Sequence, residues 1–260
     1  MSGFARVIGV DYSGARTADD PLPGLRVYLA EGHQPPHEVR PPSAARRHWT
    51  RRALAHWLAE QLHDSPPTVV GIDHGFSFPL AYFERYGLPL HWSDFLDDFC
   101  RHWITDQPGV SVEDVRRGRV GAGAMRRGET RWRRLADRAA GAAKSVFHFD
   151  VQGAVAKSTH AGLPWLRFLR DQLGSQVHFW PFDGWDVPPG RSLIAEVYPS
   201  LWRTSFPAAD LTPDQRDAYA IAARLQQAIH SSELDDWLHP ALDDQARAQA
   251  AVEGWILGVV

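Results

Sequence analysis

Two short apolar segments of this chain end in aspartate. Arg6–Tyr12 reads Arg-Val-Ile-Gly-Val-Asp-Tyr, and Thr68–Asp73 reads Thr-Val-Val-Gly-Ile-Asp. Both have the composition of a buried strand, so Asp11 and Asp73 are expected at strand ends, the edge where open α/β sheets collect their ligands. A carboxylate there is costly to desolvate unless it meets a cation or a donor. The alternative for each is a cap on the following turn; two similar strands with the same ending favour a shared site. Glu196 lies inside a third apolar run, Leu193–Tyr198, where it needs a partner; pairing with an arginine such as Arg203 is the structural alternative. Asp217 falls four residues before Ile221, Leu225 and Ala228 continue one stripe, which puts it on the inward face of a helix. Asp214 sits one turn earlier, where a first-turn acid is also favoured by the helix dipole.

Acids converging from strand ends and one helix suit hard divalent cations, which prefer carboxylate oxygens. Two such ions about 4 Å apart activate water and stabilise the leaving oxygen of a phosphodiester. The expected catalytic set is therefore Asp11, Asp73, Glu196 and Asp217. The same four, with Asp214, are the expected ligands of Mg²⁺ or Mn²⁺.

Other patterns in the chain admit both a functional and a simpler structural role. Lys157, Ser158 and Thr159 lie in a polar, glycine-punctuated stretch before a helix and are candidate phosphate contacts; a capped loop is the alternative, and the spacing is not that of a P-loop. Of 28 basic residues only Lys144 and Lys157 are lysine. The charge is uneven: Val115–Lys144 sums to +8 and the remainder to −11, for a net −3. Arg126, Arg127 and Arg131, with Trp132 beside them, suit phosphate contact and base stacking; a solvated or protein-facing surface is the alternative. The thirteen histidines show no His-x3-His or His-Glu-x2-His pairing, so zinc is not expected. His74, next to Asp73, is a candidate proton-transfer group. No Gly-x-Ser-x-Gly elbow occurs, and the Gly121/Gly123 loop follows no strand, which excludes a serine-hydrolase elbow and a dinucleotide fingerprint.

These residues need a scaffold. Strands are expected at Arg6–Tyr12, Leu25–Ala30, Glu38–Arg40, Thr68–Asp73, Ser145–Phe149, Val177–Phe182 and Leu193–Tyr198. Helices are expected at Ala44–Leu62, Ser93–Thr105, Arg131–Ala143, Pro164–Leu173, Thr212–Ile229 and Pro240–Val252. The Thr212-Pro213-Asp214-Gln215 start forms a capping box. This order predicts an α/β fold, a mixed sheet flanked by helices. One domain is expected over residues 1–260, with an Arg-rich helical and loop insertion at about 91–144. A single cysteine, Cys100, excludes an intramolecular disulfide. The chain has no run of about 20 apolar residues and no leader pattern at Met1–Val10, so no membrane and a cytoplasmic setting are expected.

Val7-Ile8-Gly9-Val10-Asp11, Val70-Gly71-Ile72-Asp73, Ala195-Glu196-Val197-Tyr198-Pro199, Asp217-Ala218 and Glu253-Gly254-Trp255-Ile256, taken in order, resemble the DUF 429 family. Its members are predicted nucleases with a ribonuclease H-like fold. The resemblance implies a metal-dependent acidic site that hydrolyses phosphodiesters, with DNA or RNA as substrate. In ribonuclease H-like enzymes an acid on the first strand, one at the end of the fourth and one on a late helix bind the metals. Asp11, Asp73 and Asp217 match those places. Asp214-x-x-Asp217 resembles the paired late acids of RuvC-like resolvases, and Glu196 belongs to the DUF 429 pattern alone. Two other classes stay open. Asp11-Tyr12-Ser13-Gly14 weakly resembles the first phosphate loop of actin-like and sugar-kinase-like ATP-dependent phosphotransferases, and a non-catalytic binding protein could keep the same fold.

Overall fold

The computed structural model describes residues 3–43, 47–63, 65–151, 153–206 and 210–259. A six-stranded mixed sheet runs in the order β3-β2-β1-β4-β6-β5. Its strands are β1 (Arg6–Asp11), β2 (Arg26–Glu31), β3 (His37–Glu38), β4 (Thr68–Asp73), β5 (Val177–Trp180) and β6 (Ser192–Glu196). β1 is parallel to β4, and β4, β6 and β5 are mutually parallel; β2 is antiparallel to both of its neighbours. The helices are α1 (Arg51–Leu62), α2 (Leu80–Tyr86), α3 (Trp92–His102), α4 (Val112–Arg116), α5 (Leu135–Ala139), α6 (Ala156–Leu173), α7 (Pro213–Ser231), α8 (Glu233–Leu238) and α9 (Asp244–Glu253). Among the described residues none is long and apolar enough to cross a membrane.

The pleat of the sheet divides the core. Ile8, Val10, Val70 and Ile72 join the cluster that contains residues of α1, α3 and α6. Val7 and Val69 join the cluster made by α7, α8 and the chain end. Gly9 and Gly71 are register partners on this second face. A methyl group on Gly9 would lie 2.5 Å from the Ala218 carbonyl oxygen and 2.6 Å from the Ala222 amide nitrogen. On Gly71 it would come within 2.8 Å of Ile221 and Leu225. α7 therefore rests almost directly on the β1 and β4 backbones, its own small residues Ala218 and Ala222 meeting the glycines. Ile221 and Leu225 are fully buried beside them, each contributing roughly 1.5–3 kcal/mol of apolar burial. α7 begins at the predicted capping box: Thr212 Oγ1 accepts from the Gln215 amide (3.3 Å), and Gln215 Oε1 accepts from the Thr212 amide (3.1 Å).

Several elements differ from expectation for identifiable reasons. α1 starts at Arg51 because Thr50 caps it, its hydroxyl accepting from the Ala53 amide at 3.1 Å; residues 44–46 lie outside the described residues. α6 starts at Ala156, which leaves Pro164 inside it. Proline offers no amide hydrogen to the His160 carbonyl; the buried Thr105 hydroxyl donates to that oxygen instead, at 2.7 Å. The helix expected at Arg131–Ala143 shrinks to five residues. Beyond it the chain turns at Gly141 (φ 69°), and the Arg133 guanidinium donates to the carbonyl oxygens of Asp137, Gly141 (3.1 Å) and Ala143 (2.9 Å). Ser145–Phe149 is not a strand: the Ser145 hydroxyl donates to the Trp132 carbonyl (2.6 Å) and accepts from the Phe147 amide (3.2 Å), a local alternative to a sheet ladder. The helix expected over Pro240–Val252 starts later, at Asp244, where the Asp243 carboxylate caps it by accepting from the Ala246 amide at 2.7 Å, and a short helix not expected from the sequence, α8, precedes Pro240.

One buried acid links three helices. Glu253, at the end of α9, accepts from the Leu80 amide (2.6 Å) and the Leu135 amide (2.8 Å), the first residues of α2 and α5. It supplies the charge that two helix N-termini favour.

The close approach of α7 makes a specific prediction. Gly9→Ala should lower the free energy of unfolding by about 1–3 kcal/mol, the usual cost of overpacking. Gly3→Ala, with open space around it, should stay within about 0.5 kcal/mol. Urea titration followed by circular dichroism measures both.

Candidate functional site

Asp11 and Asp73 are register partners in the parallel β1–β4 pair, two residues beyond Gly9 and Gly71. They therefore point to the α7 face, at the end where α7 begins. Asp214 and Asp217 lie in the first two turns of that helix. All four aspartates are half-buried. Burial, then the charges of Asp73, Asp214 and Asp217, hold the Asp11 carboxyl well above the usual carboxylate range. Arg26, the register partner of Asp11 on β2, opposes this, but its guanidinium is engaged with Glu38 at 2.9 Å. Asp11 thus feels the other three acids electrostatically, across two strand ends and one helix.

This donor set suits a hard divalent cation in kind, since every side chain offers carboxylate oxygen. Among the described residues no three His, Cys, Asp or Glu side chains already stand in a closed metal-holding cluster. The aspartates share a face without converging on one point. Asp73 and Asp217 open onto a cavity of about 420 Å³, whose wall includes Tyr12, Lys144, Ser158 and Tyr198. Tyr12 is buried and its hydroxyl has no partner.

Glu196 also reaches this cavity but does not join the four. Its register partner is Ile72, so the pleat turns it away from the α7 face. Both of its oxygens are occupied: Oε1 accepts from Arg134 Nη2 (2.5 Å), and Oε2 accepts from Arg134 Nη1 (2.7 Å) and the Phe76 amide (2.9 Å). Arg134 in turn donates to Asp137 at 2.8 Å. All three side chains are buried. Burial alone would lower the Arg134 pKa; the flanking Asp137 and Glu196 carboxylates outweigh it and hold the guanidinium charged. An arginine from the middle of the basic run is thus the counter-ion of the strand-end glutamate. The aliphatic surroundings of Glu196 in the sequence signalled that it needed a cation, and nothing local said which.

The other candidates separate in the same way. Thr159 is buried, and its hydroxyl accepts from the Gly75 amide at 2.9 Å, fixing the loop after β4 rather than facing a ligand. Ser158 lines the acid cavity but donates to the Val155 carbonyl (2.9 Å). Lys157 is exposed. Gly14 lies against the α6 backbone: a methyl group there would sit 2.1 Å from the Lys157 carbonyl carbon. The turn after Asp11 is therefore filled by α6 itself, which removes the space a phosphate loop needs. His74 turns to the opposite face from Asp73, packs on Tyr12 and Gly162, and donates through Nδ1 to the Gly75 carbonyl. Burial pushes it down to about 4, so it is a neutral core residue at physiological pH.

The basic segment is largely neutralised by acids that the sequence count placed outside it. Arg116 bonds Asp150 through both terminal nitrogens (2.7 and 2.5 Å), Arg117 pairs with Glu113 (2.5 Å), Arg119 with Asp114 (2.7 Å) and Arg126 with Asp98 (2.9 Å). Arg131 pairs with Glu129 inside the segment at 2.6 Å. Among the described residues no carboxylate pairs with Arg127, which is exposed and donates to the Arg116 carbonyl at 3.3 Å.

Two measurements follow from these environments. Because the fold raises the Asp11 pKa, the native state holds that proton more tightly than the unfolded chain, and ionisation with rising pH removes stability. Asp11→Asn should therefore melt at a higher temperature than the parent chain at pH 7, and the difference should close as the pH falls toward 4. Arg134→Ala strands two buried carboxylates and should lower the unfolding free energy by about 3–5 kcal/mol; Arg138→Ala, on the surface, should stay within about 0.5 kcal/mol.

No protein-family model matches the chain, and no curated protein and no solved structure matches it.

Proposed function

We propose that this protein is a metal-dependent nuclease built on a ribonuclease H-like fold. The observation that carries the reading is the gathering of Asp11, Asp73, Asp214 and Asp217 on one face, from adjacent parallel strands and the helix laid on them. That is where the DUF 429 resemblance expects the acids of the first strand, the fourth strand and a late helix. The mixed sheet with a parallel β1–β4 pair at its centre supports the same reading.

In this proposal Asp11, Asp73, Asp214 and Asp217 hold Mg²⁺ or Mn²⁺. A bound divalent cation supplies the Lewis acidity that generates a water nucleophile and offsets charge on a phosphodiester. The protein's own contribution is positional. The glycine contacts beneath α7 fix the acids relative to one another, and Asp11, held above the usual carboxylate range by burial and by three like charges, would be the ligand whose ionisation a cation favours most. Lys144 and Tyr198 on the cavity wall lie where a strand's phosphate would enter. Glu196 serves as a positioning residue, holding Arg134 and the Phe76 amide behind β4.

The test is cleavage of labelled single- and double-stranded DNA and RNA by the purified chain with Mg²⁺, with Mn²⁺ and with EDTA. Cleavage with metal, lost in EDTA and reduced at least about 100-fold in Asp73→Asn and Asp217→Asn, is the expected outcome. Full activity in both variants, or no cleavage of any substrate by the parent chain, overturns the reading.

A further inference from the structure

Asp73 and Asp217 open onto the cavity of about 420 Å³ beside the start of α7. That volume lies at the small end of the roughly 300–1,000 Å³ of sites for single small molecules. It is room for one nucleotide and not for a run of them.

The cavity has a floor. Arg134, Glu196 and Ile256 at its base are buried, and the exposed residues of its lining are Ala142, Gly153 and Ser200. The mouth is therefore framed by the segments that follow α5, precede α6 and follow β6. The carboxylates of the floor are engaged, since Glu196 and Asp137 both bond to Arg134. Val155, Val197 and Ile256 make one side apolar. Tyr198, also on the wall, is half-buried, and among the described residues no other ring packs on it. Bases stack on such a ring whatever their sequence, because every base has a π-face. The rest of the wall is built from small residues, and a methyl group on Gly153 would meet nothing within 4 Å.

A strand cut at an internal linkage must run on past the acids in both directions. The cavity floor stops it in one. What fits is a strand that ends there.

We propose that the substrate is the end of a nucleic-acid strand and that this cavity holds its terminal nucleotide. The inference rests on the nuclease reading. The terminal base lies on the Tyr198 ring, and the linkage to the next nucleotide lies at Asp73 and Asp217. Water adds to the phosphorus of that linkage, and the bond from phosphorus to the sugar oxygen of the neighbouring nucleotide breaks. One proton of the water goes to the departing oxygen and the other to solvent. The products are a nucleoside monophosphate and a strand one nucleotide shorter.

The test compares linear oligonucleotides with covalently closed circles of the same sequence, as single-stranded DNA and as RNA, incubated with the full chain and Mg²⁺ or Mn²⁺. Linear strands should be shortened at least about tenfold faster than circles are opened, with mononucleotides as the first products. Calorimetric titration in Mg²⁺ gives a readout apart from turnover: at least one nucleoside 5′- or 3′-monophosphate should bind with a dissociation constant below about 1 mM. Ala154→Trp, which fills the cavity, should weaken that binding and slow the shortening by at least about tenfold each, with unchanged circular dichroism. Four results each overturn this inference and leave the nuclease reading standing: circles cut as fast as linear strands, oligonucleotides as the first products, no mononucleotide binding, or a folded Ala154→Trp that binds and cuts as the parent chain does. If Ala154→Trp does not fold, the comparison of linear and circular strands decides alone. No cleavage of either form overturns the nuclease reading, and this inference with it.

Discussion

The distance between α7 and the sheet decides the geometry of the acid face. Gly9 and Gly71 remove two side chains from adjacent strands, and Ala218 and Ala222 remove bulk from the helix above them. The helix settles close to the strand backbones, and its first turns overhang the strand ends. Four aspartates then share a half-buried face, where burial and the other three carboxylates raise the cost of ionising Asp11. Acids arranged this way cost the fold stability, and under the proposed function a bound cation would offset that cost. The face is gathered and not closed, which fits a site completed by what binds there.

Behind this face, a second set of buried charges has the opposite character. Arg134 sits between Asp137 and Glu196, with every carboxylate oxygen of the two hydrogen-bonded to its guanidinium or to a backbone amide. The triad joins α5 to β6 and to the loop after β4. Glu253 adds a further tie by capping α2 and α5 from α9. Buried ion pairs of this kind contribute little net stability relative to apolar packing, but breaking one is expensive.

The arginine excess divides three ways in the folded chain. Arg134 goes to the core, Arg116, Arg117, Arg119 and Arg126 pair with acids from α3, α4 and Asp150, and Arg133 and Arg127 turn to backbone carbonyl oxygens of their own segment. Net charge and local charge were both poor guides, because pairing across the fold cancels most of the segment's +8.

Much of the sheet was legible in the sequence. Strand composition and the terminal aspartates located β1 and β4 almost to the residue, and the Thr212-Pro213-x-Gln215 pattern located the start of α7, because each depends on local backbone and capping chemistry. The four-residue step from Asp217 to Ile221 correctly put that acid on the packed face. What tertiary structure decided depends on distant partners. Glu196 finds Arg134, 62 residues away. Thr159 turns inward to Gly75, and Pro164 stays within a helix because Thr105 answers the carbonyl it leaves unbonded. Short-range patterns show which residues need a partner or a close approach. Only the folded chain brings the partner, because burial, pairing and cavity shape come from contacts between segments remote in sequence.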